Sequence, residues 1–203
     1  MKFPTTMKAT DRIPLNFKEG GKIISLKGFS IIYADPPWRY DNKGGQGVAE
    51  NQYPTMDLSE LCTLPVADLA ADDCVLFLWA TFPMLSEALQ VIVAWGFKYK
   101  TVGFVWLKQN RIAKTWFFGL GFWTRGNAEI CLIATRGKPK RQDKSVHQLI
   151  VSPIERHSKK PDETRERIVR LMGDLPRVEL FARQAPDGWA VWGNEVKSTI
   201  DLA

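Results

Sequence analysis

The chain has 203 residues, 45% of them apolar and 25% charged, with 28 Lys and Arg against 22 Asp and Glu for a net charge of +6. That size suits one α/β domain with its own core, and the composition excludes a disordered, collagen-like or fibrous chain. The longest apolar run, residues 74–80, is far short of the roughly 20 residues a bilayer crossing needs, and residues 1–21 hold no leader-like apolar run, so the expectation is a cytoplasmic protein with no membrane partner.

In chain order, short apolar runs rich in β-branched and aromatic residues read as strands at 30–34 (SIIYA), 75–80 (VLFLWA), 101–107 (TVGFVWL), 130–135 (ICLIAT), 177–181 (RVELF) and 189–192 (WAVW). Helix signals lie between them. Asp57 and Glu60 are spaced as a capping box. Pro83 suits the first turn of a helix with Leu85, Leu89, Ile92 and Val93 on one face and Gly96 at its end. Pro161 opens another, with Ile168, Leu171 and Met172 apolar, that Gly173 closes. Alternation of this kind predicts βαβ units, a mostly parallel sheet with helices on both faces, and ligand contacts just after the strands.

Three cysteines (Cys62, Cys74, Cys131) with no CxxC spacing, and two histidines (His147, His157) with no cysteine nearby, give neither a disulfide framework nor a metal site. The charge is uneven: residues 136–170 hold eleven basic against five acidic side chains, so that window alone accounts for the net +6. A basic stretch such as Lys138, Lys140 and Arg141 favours a polyanionic partner, and nucleic acid over lipid in the absence of an amphipathic membrane helix.

The first strand runs into Asp35-Pro36-Pro37-Trp38. The prolines fix the backbone and supply no N–H, so a carboxylate and the Pro36 carbonyl form a pair of acceptors. Such a pair suits an exocyclic amino group, which carries two hydrogens and is a poor nucleophile until both are held. Trp38 offers a face on which a base can stack. Later, Lys108, Arg111, Lys114, Trp116 and Arg125 interleave cations with aromatics, a mix suited to phosphates and unstacked bases, or else to packing of the tryptophans.

These residues resemble the amino-group nucleic-acid methyltransferases. More narrowly, the chain is similar to the family of the seventy-kilodalton catalytic subunit of the messenger-RNA adenosine methyltransferase and its bacterial and phage relatives. The islands are ADPPW (34–38), QYPTM (52–56), LFLWAT (76–81), VWLK (105–108), GNAEICL (126–132), HSKKPDE (157–163), ELFAR (179–183) and WGNE (192–195). The resemblance implies a Rossmann-like S-adenosylmethionine-dependent methyltransferase fold over residues 30–203, preceded by an N-terminal segment, 1–29. It makes Asp35 the catalytic acid, with Pro36, Pro37 and Trp38 completing the pocket, and residues 39–54 a gate loop whose stacking aromatic is Tyr53. Glu129 becomes an acceptor-pocket acid and Lys160 a cofactor contact beside the pocket, while Arg183, Asn194 and Glu195 hold the methionine and ribose of the cofactor.

Two departures stand out: residues 181–184 (FARQ) lack the glycine-rich turn of most methyltransferases, and nothing before Ser30 aligns with the family's upstream adenine contacts. The implied activity is methylation of N6 of adenine, in DNA on account of the compact size. The alternatives are RNA adenosine, N4 of cytosine, or a non-catalytic nucleic-acid-binding partner. No sizeable target-recognition segment is visible, so target choice falls to low specificity or to a further subunit, a second copy or a partner.

Overall fold

A computed structural model describes residues 15–19, 22–26, 28–40, 54–121, 123–155 and 159–202. The predicted Tyr53 and the glycines of the gate segment, at 44, 45 and 47, lie outside the described residues. A two-stranded antiparallel hairpin, β1 (Leu15–Glu19) and β2 (Lys22–Leu26), precedes the main sheet.

The main sheet has seven strands: β3 (Phe29–Ala34), β4 (Ala70–Ala80), β5 (Lys98–Gln109), β6 (Ala128–Arg136), β7 (Leu149–Pro153), β8 (Arg177–Leu180) and β9 (Ala190–Trp192). Their spatial order is β7-β5-β6-β4-β3-β8-β9. All pairings are parallel except those of β6 with β4 and β5, so the sheet is mostly parallel as expected, with one reversed strand. Chain order leaves β3 for β4 on one side and later returns to β8 on the other. The carboxyl end of β3 is therefore a switch point, where doubly wound sheets open a crevice.

Period-2 alternation splits the strand side chains between two layers. Ile32, Ala34, Leu76, Leu78 and Ala80 pack with α1 (Leu58–Thr63), α2 (Val66–Leu69) and α3 (Leu85–Ala94) through Leu61, Val66, Leu69, Val91 and Ile92. Ile31, Tyr33, Val75, Phe77 and Trp79 pack on the other face with Ile168 and Met172 of α4 (Glu163–Met172). Helices on both faces follow from this alternation. The Asp57–Glu60 capping box forms in full, with reciprocal bonds of 2.8 and 2.7 Å. The helical face predicted after Pro83 is narrower than expected: Ala88, Val91 and Ile92 are buried whereas Val93 is exposed, and Pro83 itself sits in a 3-10 turn, Phe82–Met84, ahead of α3.

A polar exception in the second layer is Glu179, buried on β8 in register with Tyr33. Arg165 of α4 clamps it with two parallel bonds of 2.6 and 2.8 Å. Burial pushes the Glu179 carboxyl up, and Arg165 opposes that rise. Arg165→Met should therefore cost about 3–5 kcal/mol at neutral pH, the penalty of an unpaired buried charge. In urea titrations the loss should shrink as pH falls and Glu179 takes up a proton; a uniform loss across pH would contradict this.

The basic run lies away from the switch point. Because β6 is reversed, Arg136 at its end pairs with Cys74 near the start of β4. Residues 137–148, with Lys138, Lys140, Arg141 and Lys144, leave from that edge and bond through the Gln142 N–H to the Leu171 carbonyl at the end of α4. The positive window read from sequence is thus divided between the two ends of the molecule, since Lys160 lies beside Asp35 at the other.

Candidate functional site

Asp35 follows β3, Trp79 and Thr81 close β4, Arg183 follows β8, Asn194 and Glu195 follow β9, and Lys160 precedes α4. Glu129 joins them because reversed β6 begins at the edge where the parallel strands end. Two adjoining cavities share Asp35, Pro37 and Arg183. The smaller, about 70 Å³, is walled by Asp35, Pro36, Trp38, Trp79, Glu129 and Lys160. At roughly 10–15 Å³ per water-sized group it admits a handful of heavy atoms. The larger, about 400 Å³, lies over the ends of β8 and β9 between Phe181, Trp192, Met56, Asn194 and Glu195.

Four charges of alternating sign, Asp35, Lys160, Glu129 and Lys108, run in sequence, and the first three line the smaller cavity. Lys160 Nζ donates to Asp35 Oδ1 and Oδ2 at 2.7 and 2.8 Å and lies 3.2 Å from Glu129 Oε2, while Lys108 Nζ donates to Glu129 Oε1. Burial raises the Asp35 carboxyl; Lys160 opposes the rise and Glu129 adds to it. For Glu129 burial also acts upward, but Lys160 and Lys108 outweigh it and hold the carboxyl below its ordinary range. Burial disfavours the Lys160 ammonium, yet Asp35 and Glu129 more than compensate and its pKa is raised. The arrangement is a carboxylate paired with a buried ammonium, with a second lone pair on each oxygen for a donor entering the cavity.

Trp79 organises the cavity wall. The Lys160 ammonium sits 5.6 Å from its ring centroid, its carbonyl accepts from Trp38 Nε1 at 3.1 Å, and its own Nε1 donates to the Tyr33 hydroxyl at 2.7 Å. Neither Trp79 nor Tyr33 was legible as a site residue. The available signal was strand alternation, which places Tyr33 and Trp79 on one face beside Asp35.

Two expectations about the tetrad need correcting. Trp38 is 5% exposed and packed into the core by its bond to Trp79, so its ring is not an open stacking platform. The proline carbonyls are also already engaged: Pro36 O accepts from Trp38 N–H and Pro37 O from Met56 N–H, both at 2.9 Å. A carbonyl has two lone pairs, so Pro36 O retains one acceptor site. The Met56 bond belongs to a parallel bridge between Trp38 and Met56, which pins together the ends of the predicted gate segment.

Lys108, read from sequence as a nucleic-acid contact, is instead turned inward; 14% of its side chain is exposed and it is held by Glu129 and the Trp106 ring. Arg125 is exposed in the long β5–β6 connection. In the larger cavity, Arg183 Nε lies 3.5 Å from Glu195 Oε1, and the Phe181 and Trp192 rings meet edge to face at 5.3 Å. The glycine-rich turn missing from residues 181–184 has a substitute across the sheet. Phe181 adopts the left-handed region (φ 61°), and a Cβ on Gly193 would lie 2.3 Å from the Ala182 carbonyl oxygen. Close backbone approach is thus supplied by a glycine after β9 rather than after β8.

The MT-A70 family model matches residues 29–195. The chain is 35% identical over 190 residues to the type II methyltransferase M.MunI of a Mycoplasma species, covering 84% of this chain and 78% of that protein. It is 31% identical over 174 residues to an Arabidopsis thaliana N(6)-adenosine-methyltransferase MT-A70-like protein, and 29% identical over 178 residues to the human N(6)-adenosine-methyltransferase catalytic subunit METTL3. There it covers 84% and 85% of this chain but spans only 24% and 29% of those longer proteins. The matched span runs from β3 to the residue after Asn194 and so contains every charge of the cavity, which places this chain in the MT-A70 methyltransferase family.

Proposed function

We propose that the protein transfers a methyl group from S-adenosylmethionine to N6 of adenine in DNA. The observation that carries this reading is the Asp35 carboxylate, paired with the Lys160 ammonium inside a cavity with room for the amino edge of a base and opening onto a larger, partly apolar one. The larger cavity fits the cofactor by its chemistry: Phe181, Trp192 and Met56 give an apolar wall for the adenine ring, Asn194 and Glu195 give polar groups for a ribose, and Arg183 gives a cation for a carboxylate. Bound there, S-adenosylmethionine supplies an electrophilic methyl group.

The protein's own part is positioning and electrostatics. Asp35 Oδ accepts one N–H of the target amine and Pro36 O accepts the other, which turns the nitrogen lone pair out of conjugation with the ring. Positive charge growing on that nitrogen is stabilised by the Asp35 carboxylate. Lys160 holds the carboxylate in place, and Trp79 holds Lys160. In this reading residues 30–203 carry the reaction, and residues 1–29 are a separate segment.

DNA is favoured over RNA by the higher identity to the type II methyltransferase, 35%, against 31% and 29% to the N(6)-adenosine-methyltransferase relatives. The test is incubation with isotope-labelled cofactor and matched DNA and RNA, followed by digestion to nucleosides. Label in N6-methyl-deoxyadenosine supports the proposal. Label in the ribonucleoside or in N4-methylcytosine replaces it, and no label in either substrate points to a non-catalytic subunit.

A further inference from the structure

The connection between β5 and β6 is long for an antiparallel pair and unusual in what it shows to solvent. Residues 110–127 contain five aromatics, three cations (Arg111, Lys114, Arg125) and no acid. Ile112 is 93% exposed, Leu120 79% and Trp123 99%, and Phe118 and Trp116 are also exposed. Side chains of that size gain nothing by standing in water, so such a patch marks a contact surface.

The connection has a built backbone. Asn110 Nδ2 donates to Thr115 Oγ1 at 2.8 Å and to the Trp116 carbonyl at 3.1 Å, Gln109 bridges to Trp116, and Phe117 N–H returns to Lys108 O at 3.0 Å. At the tip Gly119 N–H donates to Gly126 O at 3.0 Å. A Cβ on Gly121 would lie 2.0 Å from the Thr124 carbonyl, so the fold-back that presents Trp123 needs glycine there.

Position supplies the function. The connection rises from the edge of the sheet that carries Asp35, and its root is tied to the acceptor cavity through Lys108, Glu129 and Lys160. Arg111, Lys114 and Arg125 make no ion pair among the described residues. The carboxylates lining the groove beside Arg111 and Lys114 are already occupied: Glu155 by Lys159, Asp162 by Lys159 and Arg165, and Glu163 by Arg167. The same patch on a second copy would offer these three cations no acid, since residues 110–127 contain none. A polyanion with flat apolar faces answers both features.

We infer that residues 110–121 and 123–127 are the nucleic-acid-engaging element, with Trp123, Trp116 and Phe118 stacking on bases exposed when the target adenine leaves the helix, and Arg111, Lys114 and Arg125 on the flanking phosphates. This rests on the proposed function, because a base must be unstacked to bring its amino group to Asp35. It also moves the binding face from the basic run at 138–144 to the opposite end of the sheet.

The experiment measures affinity for a labelled adenine-containing DNA duplex over a range of salt, together with S-adenosylmethionine binding by calorimetry and mass by sedimentation, on the full chain. The variants are Trp123→Ala, the triple Arg111→Gln/Lys114→Gln/Arg125→Gln, and the matched triple Lys138→Gln/Lys140→Gln/Arg141→Gln. Trp123→Ala should weaken DNA binding about 5- to 100-fold. The first triple should lower the slope of log affinity against log salt by about 0.9 for each phosphate it no longer neutralises, while the second leaves it unchanged. Cofactor binding and mass should stay as in the wild type.

A slope flattened only by the second triple, or DNA affinity unmoved by Trp123→Ala and the first triple, overturns the inference. A wild-type dimer that Trp123→Ala splits, with DNA affinity intact, overturns it in favour of a second copy. The proposed function fails separately: wild type that binds cofactor but neither binds nor methylates nucleic acid removes both readings, whereas methylation that persists in loop variants with unaltered affinity removes only this one.

Discussion

Asp35→Asn should lower methyl transfer about 10²–10³-fold, the usual loss when one preorganised electrostatic partner is removed from a reacting centre. The substitution keeps the shape of the side chain and exchanges an acceptor for a group that presents a donor to the amine, so the loss should appear in kcat while the cofactor affinity measured by calorimetry holds. Its pH dependence is the sharper readout. Burial raises the Asp35 carboxyl above its ordinary value of 3.8. Wild-type rate should therefore fall on the acid side through that raised value, and the Asn variant should lack this limb. The same sign applies to stability. A raised folded-state pKa stabilises the fold fully below the unfolded value, and this contribution is lost as pH rises through the folded one. Ionised Asp35 is thus a cost to the fold at neutral pH, and Asp35→Asn should remain folded, with Lys160 still paired to Glu129. Near-normal turnover in the folded variant would remove Asp35 from the reaction.

The sequence made the frame legible where local chemistry and burial agree. Runs such as VLFLWA are apolar on both faces because the strand is covered on both, and Asp57 with Glu60 caps α1 by contacts three residues apart. What it left hidden depends on long-range pairing. The reversal of β6 brings Glu129 to the edge that carries Asp35, and the alternating charges of Lys108, Glu129, Lys160 and Asp35 join residues up to 125 positions apart. Edge strand β7 was also missed, since only Ile150 of its first three residues is buried and the segment lies in a basic stretch. Lys108 and Trp38 were misread for one reason: their types suit a nucleic-acid surface, but packing turned both inward. The exposed cations and aromatics of residues 110–127 were visible in the sequence, whereas their place above the Asp35 edge required the topology.

Lys160→Met should be the second most damaging change, and by a different route. It removes the cation that touches both Asp35 oxygens and one Glu129 oxygen, leaving two carboxylates in one small cavity with Lys108 on Glu129 and the more distant Arg183 on Asp35 to offset them. Opposite charges about 4 Å apart attract by roughly 4 kcal/mol at an effective dielectric near 20, so the loss weighs heavily on the ionised form of Asp35. The Asp35 carboxyl should rise further, through burial and the now unopposed Glu129 charge, and at neutral pH a larger share of the protein should be protonated there and inactive. Turnover should fall about 10²-fold at neutral pH yet recover as the pH is raised, which the pH-insensitive Asp35→Asn variant cannot do. Stability should drop by about 3 kcal/mol, the low end for breaking a buried pair, because Asp35 keeps some access to water. Lys160→Arg retains the charge and should restore the acid limb toward its wild-type position, with a residual rate loss from the planar guanidinium in a cavity shaped for an ammonium. If Lys160→Met lost activity equally at every pH, Lys160 would act on the cofactor rather than on the ionisation of Asp35. The separation of the two variants by pH therefore decides whether the chain of alternating charges exists to keep one carboxylate ready to accept a proton-bearing amine.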